Sequence, residues 1–100
     1  MEKQLNKSIL ITGCSTGIGA ALVMKFLKQG FLVFGSIRDK KLEAPLKNKY
    51  GINFVPLVFD VTNYSQIAKA YKKVKLTLKG ANLGILINNA GIAKLGPVEY

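Results

Sequence analysis

The fold is decided by the stretch Thr12-Gly13-Cys14-Ser15-Thr16-Gly17-Ile18-Gly19. It follows the apolar run 8–12 and opens the segment 18–29, in which apolar residues recur at helical spacing. Glycines let the backbone turn tightly and let a phosphate approach it, and the N–H groups and dipole at a helix start favour an anion. The pattern therefore predicts a strand, a phosphate-binding turn and a helix, with hydroxyl donors at Ser15 and Thr16. The alternative is an ordinary glycine-rich turn.

Outward from this turn, the chain alternates short apolar runs with amphipathic ones. The apolar runs predict strands over residues 8–12, 31–37, 53–59 and 84–88. Helical spacing predicts one helix over 18–29, closed by Gly30, and a longer one that starts at Thr62 or Asn63 and ends at Gly80. Residues 40–49 predict a short or irregular helix interrupted near Pro45, and Pro56 indicates an edge strand or a bulge.

This order of elements predicts an α/β fold of the Rossmann type. Continuous apolar strands joined by helices indicate a parallel sheet covered on both faces, in three layers. Right-handed crossovers limit the topology, and two crossovers in one direction and one in the other give the strand order 3-2-1-4. We therefore expect a ligand at the carboxyl ends of the strands, at the switch point between strands 1 and 4.

Composition limits the chemistry that the chain can perform. Its 100 residues correspond to one small domain at most, and 49% hydrophobic residues suit a globular chain. Because His is absent, histidine acid/base chemistry and histidine-ligated metal sites are excluded within the chain. The single cysteine, Cys14, allows no internal disulfide and favours a cytoplasmic location. No apolar run approaches the ~18 residues that cross a bilayer.

The formal net charge of +10 raises the alternative of nucleic-acid binding. The basic residues are 14 Lys and one Arg, and the lysines are spread along the chain, many of them in the predicted helices. Base-specific readout commonly uses clustered Arg, Asn and Gln, and the sequence has no such cluster. A solvated lysine surface is therefore the preferred interpretation.

Polar residues follow each of the other predicted strands. Arg38 ends strand 2, where an acid in dinucleotide folds binds ribose hydroxyls and an Arg accommodates a 2′-phosphate; the alternative is an exposed Arg or one paired with Asp39. Asp60 ends strand 3, where it either accepts from an adenine amino group or caps the next helix. The segment Asn88-Asn89-Ala90-Gly91 ends strand 4. Its amides can bridge strands and its small residues leave room for a cofactor; the alternative is a plain turn, which Asn and Gly also favour.

Together these features resemble the short-chain dehydrogenase/reductase family. The matching motifs are Thr12-Gly13-x-x-x-Gly17-Ile18-Gly19, Asp60-Val61, Asn88-Asn89-Ala90-Gly91 and Gly96-Pro97-Val98-Glu99. The resemblance implies a nicotinamide cofactor, with Ser15 and Ile18 along the phosphates and Asp60 and Val61 at the adenine. It implies Asn88, Ala90 and Gly91 along the ribose and towards the nicotinamide. Arg38 matches the position associated with a preference for NADP over NAD.

The resemblance covers residues 1–100 as the N-terminal part of a single cofactor-binding domain, and it implies a Rossmann-type sheet truncated after the fourth strand. The family's catalytic Ser and its Tyr-x-x-x-Lys pair lie further along the chain than residue 100, and we interpret the string from Tyr71 to Lys75 as a chance match. The parent enzyme is expected to transfer hydride between NADP(H) and a small carbonyl or alcohol substrate, with oligomer formation left open. The alternative is an inactive nucleotide-binding remnant or truncated gene product.

Overall fold

The helices and strands follow the predicted order. The structure is a computed structural model that describes residues 7–15, 17–60 and 62–89. Its elements are β1 (Ser8–Ile11), α1 (Gly17–Lys28), β2 (Leu32–Ile37), a 3-10 turn (Lys40–Leu42), α2 (Glu43–Tyr50), β3 (Phe54–Val58), α3 (Tyr64–Leu78) and β4 (Ile85–Ile87). Gly30 follows α1 with a φ of +84°, the left-handed conformation that commonly ends a helix.

The four strands form one parallel sheet in the order β3-β2-β1-β4. Ile9 of β1 pairs with Val33 of β2 on one side and with Ile85 of β4 on the other. The predicted order is therefore confirmed. Because all four strands run in one direction, their carboxyl ends meet at the same edge of the sheet.

Helices cover the sheet on both faces, which confirms the three layers. On one face, α1 and α2 pack over a core that includes Ile9, Val33 and Phe54. On the other face, α3 packs over a core that includes Phe34 and Leu57. Neighbouring residues of one strand alternate between the two cores, as the pleat of a strand requires. With helices on both faces, the carboxyl edge of the sheet is left for the polar residues that follow each strand.

The region 40–50 differs from its prediction. No interruption occurs at Pro45, which lies in the first turn of α2. An N–H in a first helical turn has no partner inside the helix, so a proline there removes no hydrogen bond. The irregularity comes earlier, in the 3-10 turn, where the side chain of Asp39 accepts from Lys41 N at 2.9 Å.

The free edge of β3 carries Pro56, as expected for an edge strand. Its pairing with β2 continues without a bulge, and the register points the backbone groups of Phe54 and Pro56 away from the sheet. Lys47 Nζ donates to Phe54 O and Lys73 Nζ donates to Pro56 O, both at 2.9 Å. Proline and lysine oppose the pairing of an edge strand with a second chain.

Candidate functional site

The glycine turn between β1 and α1 needs glycine for two different reasons. Gly13 and Gly17 have φ values of +62° and +63°, in the left-handed region that other residues rarely adopt. Gly19 lies inside α1, and a Cβ there would overlap Gly13 O and come within 2.9 Å of both Cys14 Cα and Asn89 Nδ2. Around Gly17 there is open space, because a Cβ there would meet no atom within 4 Å other than those of its chain neighbours and its own helix backbone. The turn is therefore tightly packed beneath Gly19 and open above Gly17.

Two neighbouring strands hold this turn in place. Gly13 N donates to Ser36 Oγ at 2.9 Å, and Cys14 N donates to Ser36 O at 3.0 Å, so that β2 accepts two successive N–H groups. From the end of β4, Asn89 Nδ2 donates to Gly13 O at 3.0 Å. The backbone of Gly13 is therefore tied at its nitrogen to one strand and at its oxygen to another.

The start of α1 is the part of the turn that faces outward. Ser15, Gly17 and Ile18 are exposed, and Ile18 is 70% exposed. The first turn of α1 contains no acidic residue. N–H groups at a helix start favour an anion, and an acidic neighbour would oppose it. Thr16 lies outside the described residues.

Cys14 is a packing residue of the turn. It is fully buried, and its Sγ would lie 2.6 Å from a Cβ placed on Gly35. Burial raises the pKa of the Cys14 thiol to about 11, against an ordinary value of 9.0. A thiol with so high a pKa is a poor nucleophile at neutral pH. Cys14 therefore has a packing role, in the place where the turn lies close to β2.

Arg38 and Asp60 meet at the same edge of the sheet. Arg38 follows β2, Asp60 lies after β3, and Arg38 Nη2 donates to Asp60 Oδ2 at 3.0 Å. The partner of Arg38 is therefore Asp60 and not its neighbour Asp39, whose side chain accepts from Lys41 N. The side chain of Arg38 remains 82% exposed. Exposed ion pairs contribute little to stability, so the guanidinium stays accessible to an anionic ligand.

The remaining oxygen of Asp60 is held by its own loop. Thr62 donates to Asp60 Oδ1 from its backbone N–H at 2.9 Å and from its hydroxyl at 2.8 Å. These hydrogen bonds, with a smaller contribution from the Arg38 charge, lower the pKa of the Asp60 carboxyl. The cap of α3 is Asn63, whose side chain accepts from Gln66 N at 3.1 Å. Asp60 is therefore a fixed carboxylate and is not the helix cap.

The end of β4 joins the glycine turn. Thr12 Oγ1 donates to Asn88 Oδ1 at 3.1 Å, and Thr12 N donates to Ile87 O at 3.1 Å. Asn88 is exposed, whereas Asn89 is buried. Val61, Ala90, Gly91 and the motif 96–99 lie outside the described residues, as Thr16 does.

The structure thus gathers the described candidates into two groups along one edge. Hydrogen bonds connect the glycine turn with the end of β4, and the ion pair connects Arg38 with Asp60. The sequence interpretation missed the role of Ser36, whose only signal was a polar residue in the apolar run 31–37. The bridging amide that it expected at the end of β4 is present, because Asn89 reaches Gly13.

The described residues contain neither a metal-binding cluster nor a membrane-spanning helix. Across residues 7–15, 17–60 and 62–89, no group of three His, Cys, Asp or Glu side chains could hold a metal ion. In the part of the chain that the structure describes, no helix is both long enough and apolar enough to span a bilayer. The segment from Tyr71 to Lys75, which matches the Tyr-x-x-x-Lys pattern, lies on the exposed side of α3. There Lys75 Nζ lies 5.3 Å from the centroid of the Tyr71 ring.

Comparison with known sequences gives one family. The sequence profile of the family described as short chain dehydrogenase matches residues 7–100. The NADPH-dependent 3-dehydrocapnine reductase of Ornithobacterium rhinotracheale is 42% identical over 91 residues, which cover 91% of this chain and 32% of that protein. The mitochondrial D-beta-hydroxybutyrate dehydrogenase of Mus musculus is 35% identical over 100 residues, covering 94% of this chain and 29% of that protein. The chain therefore spans about a third of the length of these relatives.

Solved structures share the fold. A short chain dehydrogenase from Bacillus anthracis has a TM-score of 0.73 at 27% identity, covering 85% of this chain and 36% of that one. The 3-ketoacyl-(acyl-carrier-protein) reductase of Brucella melitensis, solved in complex with NADH, has a TM-score of 0.70 at 24% identity, covering 80% of this chain and 32% of that one. The parallel sheet and its helices are therefore those of dehydrogenase structures.

Proposed function

Because this chain belongs to the short-chain dehydrogenase family, we propose that it is the N-terminal, cofactor-binding part of an oxidoreductase that uses NADP(H) in preference to NAD(H). In the whole protein, the reaction is reversible hydride transfer between the nicotinamide cofactor and a small carbonyl or alcohol substrate. The observation that carries this proposal is the glycine turn, held by two strands at the carboxyl edge of the sheet and open at the start of α1.

The turn fits a pyrophosphate. Beneath Gly19 the backbone leaves no space for a side chain, and around Gly17 a Cβ would meet no atom within 4 Å. A turn that is rigid below and bare above lets a phosphate group come close to the backbone N–H groups of a helix start. The phosphates are assigned to this turn, where Gly13 and Gly19 shape the backbone. The residues assigned to lie along the phosphate groups are Ser15, Thr16, Gly17 and Ile18.

The other candidate residues are assigned to the remaining parts of the cofactor. The adenine is assigned to Asp60 and Val61, and the ribose and nicotinamide side to Asn88, Ala90 and Gly91. Asp60 is a carboxylate with a lowered pKa, so it is ionised at neutral pH and accepts hydrogen bonds. These residues bind and orient the cofactor, which supplies the hydride when it is bound.

Arg38 supports the preference for NADP(H). Its planar guanidinium can donate two parallel bonds to a phosphate, and an NAD(H) ribose offers no anion at that place. A single exposed hydrogen bond holds it to Asp60. The relative from Ornithobacterium rhinotracheale, named as NADPH-dependent, is consistent with this choice.

Titration of the whole protein with NADPH tests the proposal. NADPH fluorescence changes on binding, so a saturable change gives the Kd directly. We expect saturable binding of NADPH, weaker binding of NADH, and no displacement of NADPH by duplex DNA. If the folded protein bound neither NADPH nor NADH, the proposal would be contradicted, and equal Kd values for the two would contradict the preference for NADP(H).

A further inference from the structure

We propose that Ser36 is a positioning residue for the cofactor pyrophosphate, acting through the backbone of the glycine turn. The inference rests on the proposed function and adds a residue that lies outside the glycine motif. Ser36 is 23 residues from Gly13 in sequence, yet its side chain accepts the Gly13 N–H at 2.9 Å. Its own carbonyl accepts the next N–H, that of Cys14, at 3.0 Å.

Ser36 is buried, and its burial maintains the hydrogen bond to Gly13. It is 5% exposed and is the last residue but one of β2, between Gly35 and Ile37. Each buried side-chain nitrogen or oxygen in the described part of the chain has a hydrogen-bond partner. A buried hydroxyl that lost its partner would be destabilising, so this contact is maintained in the folded state.

The contact matters because the residue it fixes is a glycine. Gly13 has a φ of +62°, and glycine retains the greatest backbone freedom of any residue. Ser36 fixes its nitrogen, and Asn89 fixes its oxygen. With both ends of that residue held, the turn keeps the shape that the phosphate needs before the cofactor arrives, and less ordering remains to oppose binding.

The same contact decides which N–H groups face the ligand. The N–H groups of Gly13 and Cys14 point at β2 and are occupied. The N–H groups that remain for a phosphate are those at the start of α1, beyond Ser15. Ser36 therefore occupies the N–H groups of Gly13 and Cys14, and the N–H groups at the start of α1 are left to bind the anion.

Ser8 provides a matched control for this inference. It is also a fully buried serine in a strand, and its Oγ also accepts a backbone N–H, from Gly84 at 3.1 Å. It begins β1 and so lies at the opposite end of the sheet from the glycine turn. Ser8→Ala and Ser36→Ala remove the same type of hydrogen bond, but only Ser36 touches the proposed site.

The test measures ligand affinity and stability of both variants in the whole protein. NADPH binding is followed by fluorescence, adenosine 2′-monophosphate binding by displacement of NADPH, and unfolding by urea. One hydrogen bond of ordinary strength corresponds to a change of about three- to tenfold in Kd. We expect Ser36→Ala to raise the Kd for NADPH by that factor and to leave unchanged the Kd for adenosine 2′-monophosphate, which has no pyrophosphate. Ser8→Ala should leave both constants unchanged at a similar loss of stability.

Each outcome bears on a separate claim. An unchanged NADPH Kd in Ser36→Ala, or an equal rise in Ser8→Ala, would overturn the role of Ser36. So would an equal rise for adenosine 2′-monophosphate, since the effect would then not be specific to the pyrophosphate. If Ser36→Ala does not fold, Ser36→Thr retains the hydroxyl, and a tenfold rise in its NADPH Kd would overturn the role. Absence of NADPH binding to the unmodified protein would instead overturn the proposed function.

Discussion

Gly19→Ala is the substitution for which the structure gives the clearest expectation. Elsewhere, a glycine inside a helix is improved by alanine, which stabilises an exposed helix by about 1 kcal/mol. Gly19 is different because an added Cβ would overlap Gly13 O and approach both Cys14 Cα and Asn89 Nδ2 at 2.9 Å. Two of these three neighbours are backbone atoms and cannot rotate away. The turn must therefore move.

The size of the effect follows from the groups that move. Overpacking of a tight site costs about 1–3 kcal/mol. Displacement of Gly13 O also breaks the bond from Asn89, which contributes about 0.5–1.5 kcal/mol. These two losses exceed the gain in helix propensity, so we expect the free energy of unfolding to fall by about 1–3 kcal/mol. Because the turn is the proposed phosphate site, we also expect the Kd for NADPH to rise at least tenfold.

Gly51→Ala is the control for the loss of stability alone. Gly51 follows α2 with a φ of +89°, and nothing lies within 4 Å of its Cβ position. Alanine there is strained by about 1–3 kcal/mol without any collision. Urea unfolding and NADPH fluorescence of both variants separate the effects, with Gly51→Ala expected to bind NADPH as the unmodified protein does. A Gly19→Ala protein with unchanged stability and unchanged NADPH affinity would refute the packing argument.

Three further expectations concern other parts of the molecule. Arg38→Ala should lower kcat/KM for NADPH about ten- to hundredfold and leave that for NADH nearly unchanged, and equal values for both cofactors before substitution would contradict the role of Arg38. The folded state keeps the Cys14 thiol protonated to a pKa of about 11, whereas the unfolded chain releases the proton near 9.0. The stability from that burial is therefore complete below about pH 9 and lost as the pH rises to about 11; urea unfolding at several pH values should show a smaller loss in Cys14→Ala. Pro56→Val combined with Lys73→Ala should open the edge of β3 and increase self-association in sedimentation, with an unchanged sedimentation profile as the contrary result.

The fold was predictable because its information is local. The apolar runs that form β1 to β4 are continuous, and the segments between them repeat every three or four residues. The handedness of crossovers then leaves few strand orders, and the order β3-β2-β1-β4 is the one that the sequence predicts. The predicted interruption at Pro45 is wrong because the effect of a proline depends on its position within a helix. The 3-10 turn precedes α2, so α2 begins at Glu43 and Pro45 lies in its first turn.

The site was only partly predictable because its bonds connect distant parts of the chain. The turn residues were found from glycine spacing, which reports local backbone needs. The bonds from Ser36 and Asn89 to Gly13 join residues 23 and 76 apart in sequence, and no periodicity records them. Arg38 likewise pairs with Asp60 and not with its sequence neighbour Asp39, because the carboxyl ends of parallel strands lie close together.

A crystal structure of the whole protein with NADP⁺ is the most direct test of the assignment of these residues to the cofactor. We predict that the pyrophosphate lies against the start of α1 at Gly17–Gly19, with the 2′-phosphate within hydrogen-bond distance of the Arg38 guanidinium. The Gly13 N–H should remain on Ser36 Oγ in that complex. A cofactor bound at another edge of the sheet, or a 2′-phosphate distant from Arg38, would contradict the account.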